Sequence, residues 1–410
     1  MGDLEKILIV ICDGLGDRPV DEFKGKTPLQ MAKKPTLNRI AREGICGMMY
    51  PIDVGIRAGS DTSHLAILGY DPYKLYTGRG PFEAAGVGLE VKGGDVAFRC
   101  NFSTVDENFV VVDRRAGRIK DGTAALAKAL DGMEIEGIKV LFKESIEHRA
   151  VLVLRGNGLS PYITDADPHA ENQKVHEVKP LKAEAELTAR VVNQFVKESY
   201  RILSEHPVNR ERESKGLPPA NIVLPRGAGI VPHIPKVGEL HRIKGAAITG
   251  IALVKGVCRV AGLDIIEVKG ATGGLDTDMM AKAEAVVKAL ETYDLVFVNI
   301  KAPDICGHDG NAGEKVKVIA RIDKAMEYVL KNANQNFVLA LTADHTTPVS
   351  VKDHTGDAVP LAIHGRGVRK DSVRTFDEIA CAKGGMGHIL GKNLLPFLLQ
   401  LTARSEKFGS

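Results

Sequence analysis

Between Phe337 and Pro360 an apolar run, Phe337 to Leu341, leads to Asp344-His345, and a further histidine, His354, follows nine residues after the first. Upstream, the run Leu295 to Val298 leads to Asp304 and, four residues on, His308. Carboxylate and imidazole groups at two strand ends are what a metal site at the edge of an α/β sheet requires. Five such groups exceed what one catalytic ion usually takes from a protein, so the pattern suggests two metals and, with them, phosphate chemistry. A third run, Ile7 to Cys12, ends in Asp13. Taken singly, Asp13 reads as a turn residue or helix cap, Asp304 and His308 as a surface pair on a helix, and Asp344-His345 as a strand-end turn. Three strand ends in one sheet, each offering Asp or His, would instead converge on one cleft.

Ser60, in Gly59-Ser60-Asp61-Thr62-Ser63, is the candidate nucleophile. A lone serine there reads first as a cap. At a helix start, however, backbone N–H groups and the helix dipole stabilise an anion. The hydroxyl needs activation, and no His-Asp pair of triad type accompanies it. A metal ion can stabilise the deprotonated oxygen, which makes a covalent phosphoserine plausible. His64 lies one helical turn on, supporting this site or simply packed. His388, in a glycine-rich GGMGHI segment, is read as a turn residue rather than a ligand.

Guanidinium groups bind phosphate and carboxylate bidentately. The middle of the chain supplies Arg99 in DVAFRCNF; Arg114, Arg115 and Arg118 in VVDRRAGRI; His148-Arg149; Arg155; and Arg226 in LPRGAG. It also holds Asp165 and His169 in TDADPH. Arg99 and Arg114 stand out, being strand-associated and beside polar turns. Gly-rich pieces such as TGRGPFEAAGVG fit neither GxGxxG after a strand nor GxxxxGK[ST], so nucleotide binding has little support.

Several elements must position these groups. Ile7 to Cys12 is a continuous Ile/Val-rich run, as in a buried parallel strand. Pro28 to Gly44 has helical spacing and is followed by a Gly-rich turn; Leu65 to Gly69 continues a short helix opened by polar residues. The middle is strand-like at Asp95–Phe102, Phe109–Val112, Ile138–Phe142 and His148–Leu154, with a long helical pattern over Pro180–Leu203. Glu205–Pro219 reads as a loop or domain border. From Ala246 strands and helices alternate again: strand Ile248–Val254, helix Met279–Leu290, strand Leu295–Ile300, helix Val316–Leu330 and strand Phe337–Thr342. The fold class is therefore α/β, a parallel-sheet domain formed by 1–80 with 240–410 and interrupted by a smaller inserted domain, 81–239. Asp13, Asp304 and Asp344 fall just beyond strand ends, where such sheets place their sites.

At 410 residues the chain can bury a large core, and 44% hydrophobic with 26% charged residues is an ordinary balance. A net charge of +3, no tryptophan and no basic run interleaved with aromatics argue against nucleic acid. No apolar stretch reaches the length of a membrane span and no signal-peptide pattern follows Cys12. Six dispersed cysteines without CxxC read as reduced thiols, so a cytoplasmic setting is expected. Oligomeric state is not legible, and a homo-oligomer stays open.

Together, Asp13, Ser60, Asp304-x-x-x-His308, Asp344-His345 and His354 resemble the alkaline phosphatase superfamily. More narrowly, the chain resembles the archaeal-type cofactor-independent phosphoglycerate mutases. The segments that carry this span nearly the whole chain: CDGLGDRP, GSDTSHLAILGYDP, YTGRGPFEAAG, DVAFRCNFSTVD, DRRAGRI, EHRAVLVLRG, DADPH, RGAG, KAPDICGHDG, TADHTTP and HTGDAVPL. The resemblance implies an alkaline-phosphatase-like sheet domain with an inserted substrate domain. It also implies two divalent metal ions, manganese first, with zinc, cobalt or magnesium as alternatives. Asp13, Ser60, Asp344 and His345 would hold one ion; Asp304, His308 and His354 would hold the other. Ser60 would become phosphoserine while 2-phosphoglycerate and 3-phosphoglycerate interconvert without free 2,3-bisphosphoglycerate. Arg99, Arg114, Arg115, Asp165, His169, Arg226 and Lys269 would bind the phosphoglycerate. A metal-dependent phosphatase or phosphodiesterase on the same ligands is the alternative. A non-catalytic metal-binding protein is disfavoured, because all seven ligand-type residues, Ser60 included, are present.

Overall fold

The computed structural model describes residues 5–231, 234–334, 336–407 and 409. In chain order its strands are β1 (Lys6–Cys12), β2 (Ile45–Tyr50), β3 (Val96–Val105), β4 (Val111–Asp113), β5 (Glu134–Ile135), β6 (Ile138–Glu144), β7 (Arg149–Arg155), β8 (Ile222–Ile230), β9 (Gly245–Ile248), β10 (Asp264–Ile265), β11 (Leu295–Ile300), β12 (Phe337–Thr342), β13 (Val359–His364) and β14 (Gly387–Leu390). The chain divides into two compact units, 1–75 with 234–410 and 76–233. Among the described residues no helix is long and apolar enough to cross a membrane.

The first unit is built on an eight-stranded sheet in the order β10-β9-β11-β1-β12-β13-β2-β14. β1 lies between β11 and β12, parallel to both, with Cys12 beside Ile300 and Ile11 beside Thr342. Ile7 to Cys12 are all buried, as expected of a strand covered on both faces. The sheet is mixed rather than wholly parallel, because β13 runs antiparallel to both β12 and β2. Two reversals bring β2 back into the direction of β12. The segments after β1, β2, β11 and β12 therefore leave the sheet at one edge.

The inserted unit is an antiparallel sheet, β4-β3-β7-β6-β5, with β8 on the other side of β3. One face buries Phe98, Cys100, Phe102, Leu152, Phe195 and Leu224 in a single core. Helix Glu186–Ser204 packs there, presenting Val191, Val192, Phe195 and Val196 at helical spacing.

Several local expectations are corrected. Pro28–Gly44 is two helices, Pro28–Met31 and Pro35–Arg42, because Pro35 cannot continue the ladder of the first. The presumed loop 205–219 contains helix Pro207–Ser214 inside the inserted unit. Pro207 opens it, and buried Asn209 bonds to Leu203 and Ala220 carbonyls. Strand β9 stops at Ile248, and Ala252–Val260 is helical. The break falls at Gly250, where a Cβ would lie 2.5 Å from the Ala271 carbonyl oxygen.

Candidate active site

Three neighbouring strands deliver three carboxylates. Asp13 follows β1, Asp344 follows β12, and Asp304 lies in helix Ala302–Asp309 after β11; all three are buried. Gly14 permits their approach. Its φ is +64°, its N–H donates to Asp344 Oδ1 at 3.2 Å, and a Cβ there would sit 2.6 Å from the Asp304 Cα. Ser60 opens helix Ser60–Ile67 beyond β2, and its Oγ lies 3.3 Å from His345 Nε2.

The hydrogen bonds fix where the histidine lone pairs point. Thr347 gives its one hydroxyl proton to Asp304 Oδ1 at 2.7 Å, so at 3.0 Å it accepts from His345 Nδ1–H. His345 Nε2 is then left bare, 3.5 Å from Asp13 and 3.2 Å from Asp344. His354 Nδ1 donates to the Ala58 carbonyl and His308 Nδ1 to that of Lys352. Their Nε2 atoms face each other at 3.3 Å, each also within 3.5 Å of Asp304. Two bare nitrogens beside a carboxylate repel one another unless a cation or proton lies between, and tying the far nitrogen in this way is how proteins orient metal-binding imidazoles.

Burial keeps His345 neutral, pushing its pKa down to about 3. Burial and neighbouring Asp344 push the Asp13 carboxyl up, against the pull of Lys301. For Asp304 burial acts upward too, but the His354 hydrogen bond and the Lys301 charge outweigh it and hold the carboxyl well below its ordinary value. Lys301 Nζ bridges Asp13 and Asp304 at 2.9 and 2.6 Å, one ammonium against three buried carboxylates. Asp344 Oδ2 has no hydrogen-bond partner among the described residues. Asp304, His308 and His354 each bring a ligand atom within 4.8 Å of the others; so do Asp13, Asp304 and His345, and Asp13, His64 and Asp344. The donor set fits divalent cations.

His64 has both nitrogens engaged. Nδ1 donates to the Ser60 carbonyl at 2.6 Å, and Nε2 accepts from Asn299 Nδ2 at 3.1 Å. Asn299 also donates to Asp13 Oδ2, so His64 and Asn299 form a strut between the serine and the β1 carboxylate. Lys301, Asn299 and Thr347 escaped the sequence reading. Their signal was position alone: Asn299 and Lys301 flank the end of β11, and Thr347 follows His345 by two residues.

The inserted unit gathers a second constellation. Arg99 and Asn101 alternate onto one face of β3; Arg226 of β8 is opposite Arg99, and Arg149 of β7 is opposite Asn101. With Arg114, Arg115, Arg118, Glu147 and His148 they line a cavity of about 340 Å³. Arg114 is clamped by two bonds to fully buried Asp167, at 3.0 and 2.7 Å, and Arg226 stands 3.6 Å from the same carboxylate. Nε of Arg99 and of Arg226 are buried without hydrogen-bond partners among the described residues, Arg99 Nε standing 3.9 Å from Glu83. Burial and the nearby Arg79 and Arg226 bring Arg99 down to about 10. An anion would relieve this concentration of charge.

Arg99, Arg114, Arg115, Arg118, His148, Arg149 and Arg226 thus share one pocket, whereas Asp165, His169 and Lys269 are not part of its lining. Asp165 and His169 pair with each other at 3.1 Å, and Asp165 accepts from Gly227 N–H, bracing the loop beside Arg226. Lys269 belongs to the first unit and lines a groove with Glu284 and Lys288. His388, on β14, stacks on Tyr50. Asp167 was missed; it is the acid in the centre of TDADPH, two residues from each of its named neighbours.

Comparison with known proteins now bears on this geometry. The family described as 2,3-bisphosphoglycerate-independent phosphoglycerate mutase matches residues 41–209. A Methanocaldococcus jannaschii protein named 2,3-bisphosphoglycerate-independent phosphoglycerate mutase 1 is 55% identical over 409 residues, covering 99% of each chain. A Methanococcus maripaludis protein of the same description is 52% identical over 408 residues, covering 99% of this chain and all of its own. Among solved structures, a cofactor-independent phosphoglycerate mutase from Thermoplasma acidophilum aligns with TM-score 0.75 at 39% identity, over 97% of this chain and 100% of its own. A Pyrococcus horikoshii protein aligns with TM-score 0.87 at 38% identity, over 99% and 100%.

Proposed function

We propose a function from one premise: this chain belongs to the family of 2,3-bisphosphoglycerate-independent phosphoglycerate mutases. It is an isomerase that interconverts 2-phosphoglycerate and 3-phosphoglycerate in glycolysis and gluconeogenesis, without free 2,3-bisphosphoglycerate. The observation that carries the chemistry is Ser60 Oγ at a helix start, 3.3 Å from a bare histidine nitrogen and amid the Asp13, Asp304 and Asp344 carboxylates.

Two divalent ions, manganese first among the choices, would be held by Asp13, Ser60, Asp344 and His345 and by Asp304, His308 and His354. They would supply charge neutralisation at phosphorus and acidify the serine hydroxyl. Ser60 Oγ forms the new bond to phosphorus as the glycerate oxygen leaves and takes up a proton. The other glycerate hydroxyl then attacks the phosphoserine, loses its proton, and frees Ser60. His64 holds the Ser60 carbonyl through both events. Ser60 is only 8% exposed, which favours transfer to glycerate over loss to water. The arginines of the inserted unit hold the substrate's carboxylate in bidentate fashion. The six cysteines are free and buried, which suits the reducing cytoplasm proposed as the setting. A phosphoglycerate is the proposed partner, not nucleic acid or membrane; self-association would not alter the scheme.

The test is to incubate cation-loaded protein with 3-phosphoglycerate, without added bisphosphoglycerate, and to follow 2-phosphoglycerate and free phosphate. Appearance of 2-phosphoglycerate is expected. Phosphate release without it would replace the mutase by the phosphatase alternative.

A further inference from the structure

The arginine pocket presents an imbalance that anion binding alone does not resolve. Guanidinium groups have donors and no acceptor, and ionised phosphate and carboxylate have acceptors and no donor, so the two match. Two buried pocket groups fall outside that match. Asn101 gives its Nδ2 to the Arg114 carbonyl at 3.3 Å, which leaves Oδ1 buried with no partner among the described residues. The His148 side chain is 8% exposed, its Nδ1 likewise without a hydrogen bond and 4.0 Å from Glu147. Burial and the flanking Arg149 and Arg115 hold His148 down at about 4, so the ring is uncharged at neutral pH and carries a single proton; with that proton on Nε2, the buried Nδ1 is an acceptor. Buried acceptors without donors are rare in folded proteins and ask for a ligand donor.

Resting on the mutase reading, we propose that His148 and Asn101 recognise the substrate's hydroxyl groups, so that the pocket selects a hydroxy acid over a plain carboxylate or an inorganic anion. The hydroxyl is the one donor that an ionised phosphoglycerate offers. It lies on C2 in one isomer and on C3 in the other, and the glycerate formed between them carries both. Two acceptors side by side with the anion cradle suit a ligand that shows either hydroxyl in turn. Removing a hydroxyl from a ligand whose site is built to bond it is strongly discriminated against, because the buried partner is left unpaired.

The test measures binding, in the full chain carrying Ser60→Ala so that turnover does not intervene. Titration calorimetry compares 3-phosphoglycerate with 3-phosphooxypropionate, which lacks only the C2 hydroxyl, and with sulfate as a probe of the arginines alone. The parent pocket is expected to prefer 3-phosphoglycerate by about ten-fold or more. His148→Phe, which keeps the ring's bulk, or Asn101→Leu should cut that preference by about ten-fold, with sulfate affinity within about two-fold. His148→Gln, which retains an acceptor, should recover part of it and covers the case in which a bulkier variant fails to fold. An unchanged preference in all three variants overturns the proposal, as does equal binding of the two ligands by the parent. Should Ser60-intact protein fail to make 2-phosphoglycerate while the preference persists and depends on His148, the mutase reading falls and hydroxyl recognition stands.

Discussion

The two constellations are opposites. The cluster in the first unit has a surplus of electron pairs: three buried carboxylates and the Nε2 atoms of three histidines against one Lys301 ammonium. The pocket in the inserted unit has a surplus of donors, with six arginines and, among the described residues, no hydrogen-bond partner for Nε of Arg99 or Arg226. They are also built differently. The first collects loops and helix starts from one edge of a mainly parallel sheet; the second collects alternate residues from a face of an antiparallel one. Neither is electrostatically balanced by the described residues alone: the first suits cations and the second a small acid.

The largest effect should come from breaking the first cluster without emptying it. Ser60→Ala should lower mutase turnover by at least about a thousand-fold, while calorimetric titration with Mn2+ still shows binding by the Asp and His groups. Substantial mutase activity in that variant would rule out a phosphoserine route. Chelation is the second test: exhaustive EDTA treatment should abolish turnover and added Mn2+ restore it, and full activity after EDTA would refute cation dependence.

Within the arginine pocket, two substitutions should separate binding from folding. Arg99→Ala removes a charge that burial and its neighbours already disfavour. It is expected to raise KM about 10- to 100-fold with little loss in urea stability. Arg114→Ala strips fully buried Asp167 of its clamp and should destabilise the inserted unit by about 3 kcal/mol in urea unfolding. Equal stability losses in the two would show that the arginines do not differ in this way.

The smallest effect concerns pH. His148 falls from an ordinary 6.5 to about 4, so between those values the unfolded chain takes up a proton that the folded chain refuses. Its contribution is present above pH 6.5 and lost as pH falls toward 4, at most about 3 kcal/mol. His148→Phe should flatten the dependence of Tm on pH across that window; an unchanged slope would assign acid sensitivity to other groups.

The first cluster was largely legible because its residues are rare types in conspicuous places. Asp13, Asp304 and Asp344-His345 each follow an apolar run, and strand ends in such sheets meet at one edge whatever lies between them. The supports were less so. Asn299 and Lys301 matter because β11 lies next to β1, a pairing across 288 residues that periodicity does not report. Short β2 was read as a turn after a helix, since ICGMMY shows no alternation, and helix Pro207–Ser214 was hidden by its polar composition.

What the sequence determined by itself was the α/β class, the sites of the metal-type ligands and, through resemblance along the whole chain, the chemistry expected of them. These are local or cumulative signals: residue type, periodicity and motif order. Only the tertiary structure decided which arginines share a pocket. Arg99, Arg149 and Arg226 meet through antiparallel register across segments some 50 to 130 residues apart, and a one-residue slip would turn each to the opposite face. It also decided that Asp165 and His169 brace a loop outside the pocket lining, that His64 is a strut, and that Asn101 Oδ1 and His148 Nδ1 are buried without hydrogen-bond partners among the described residues. Burial and hydrogen-bond satisfaction are properties of three-dimensional neighbours, and a linear order of residues does not contain them.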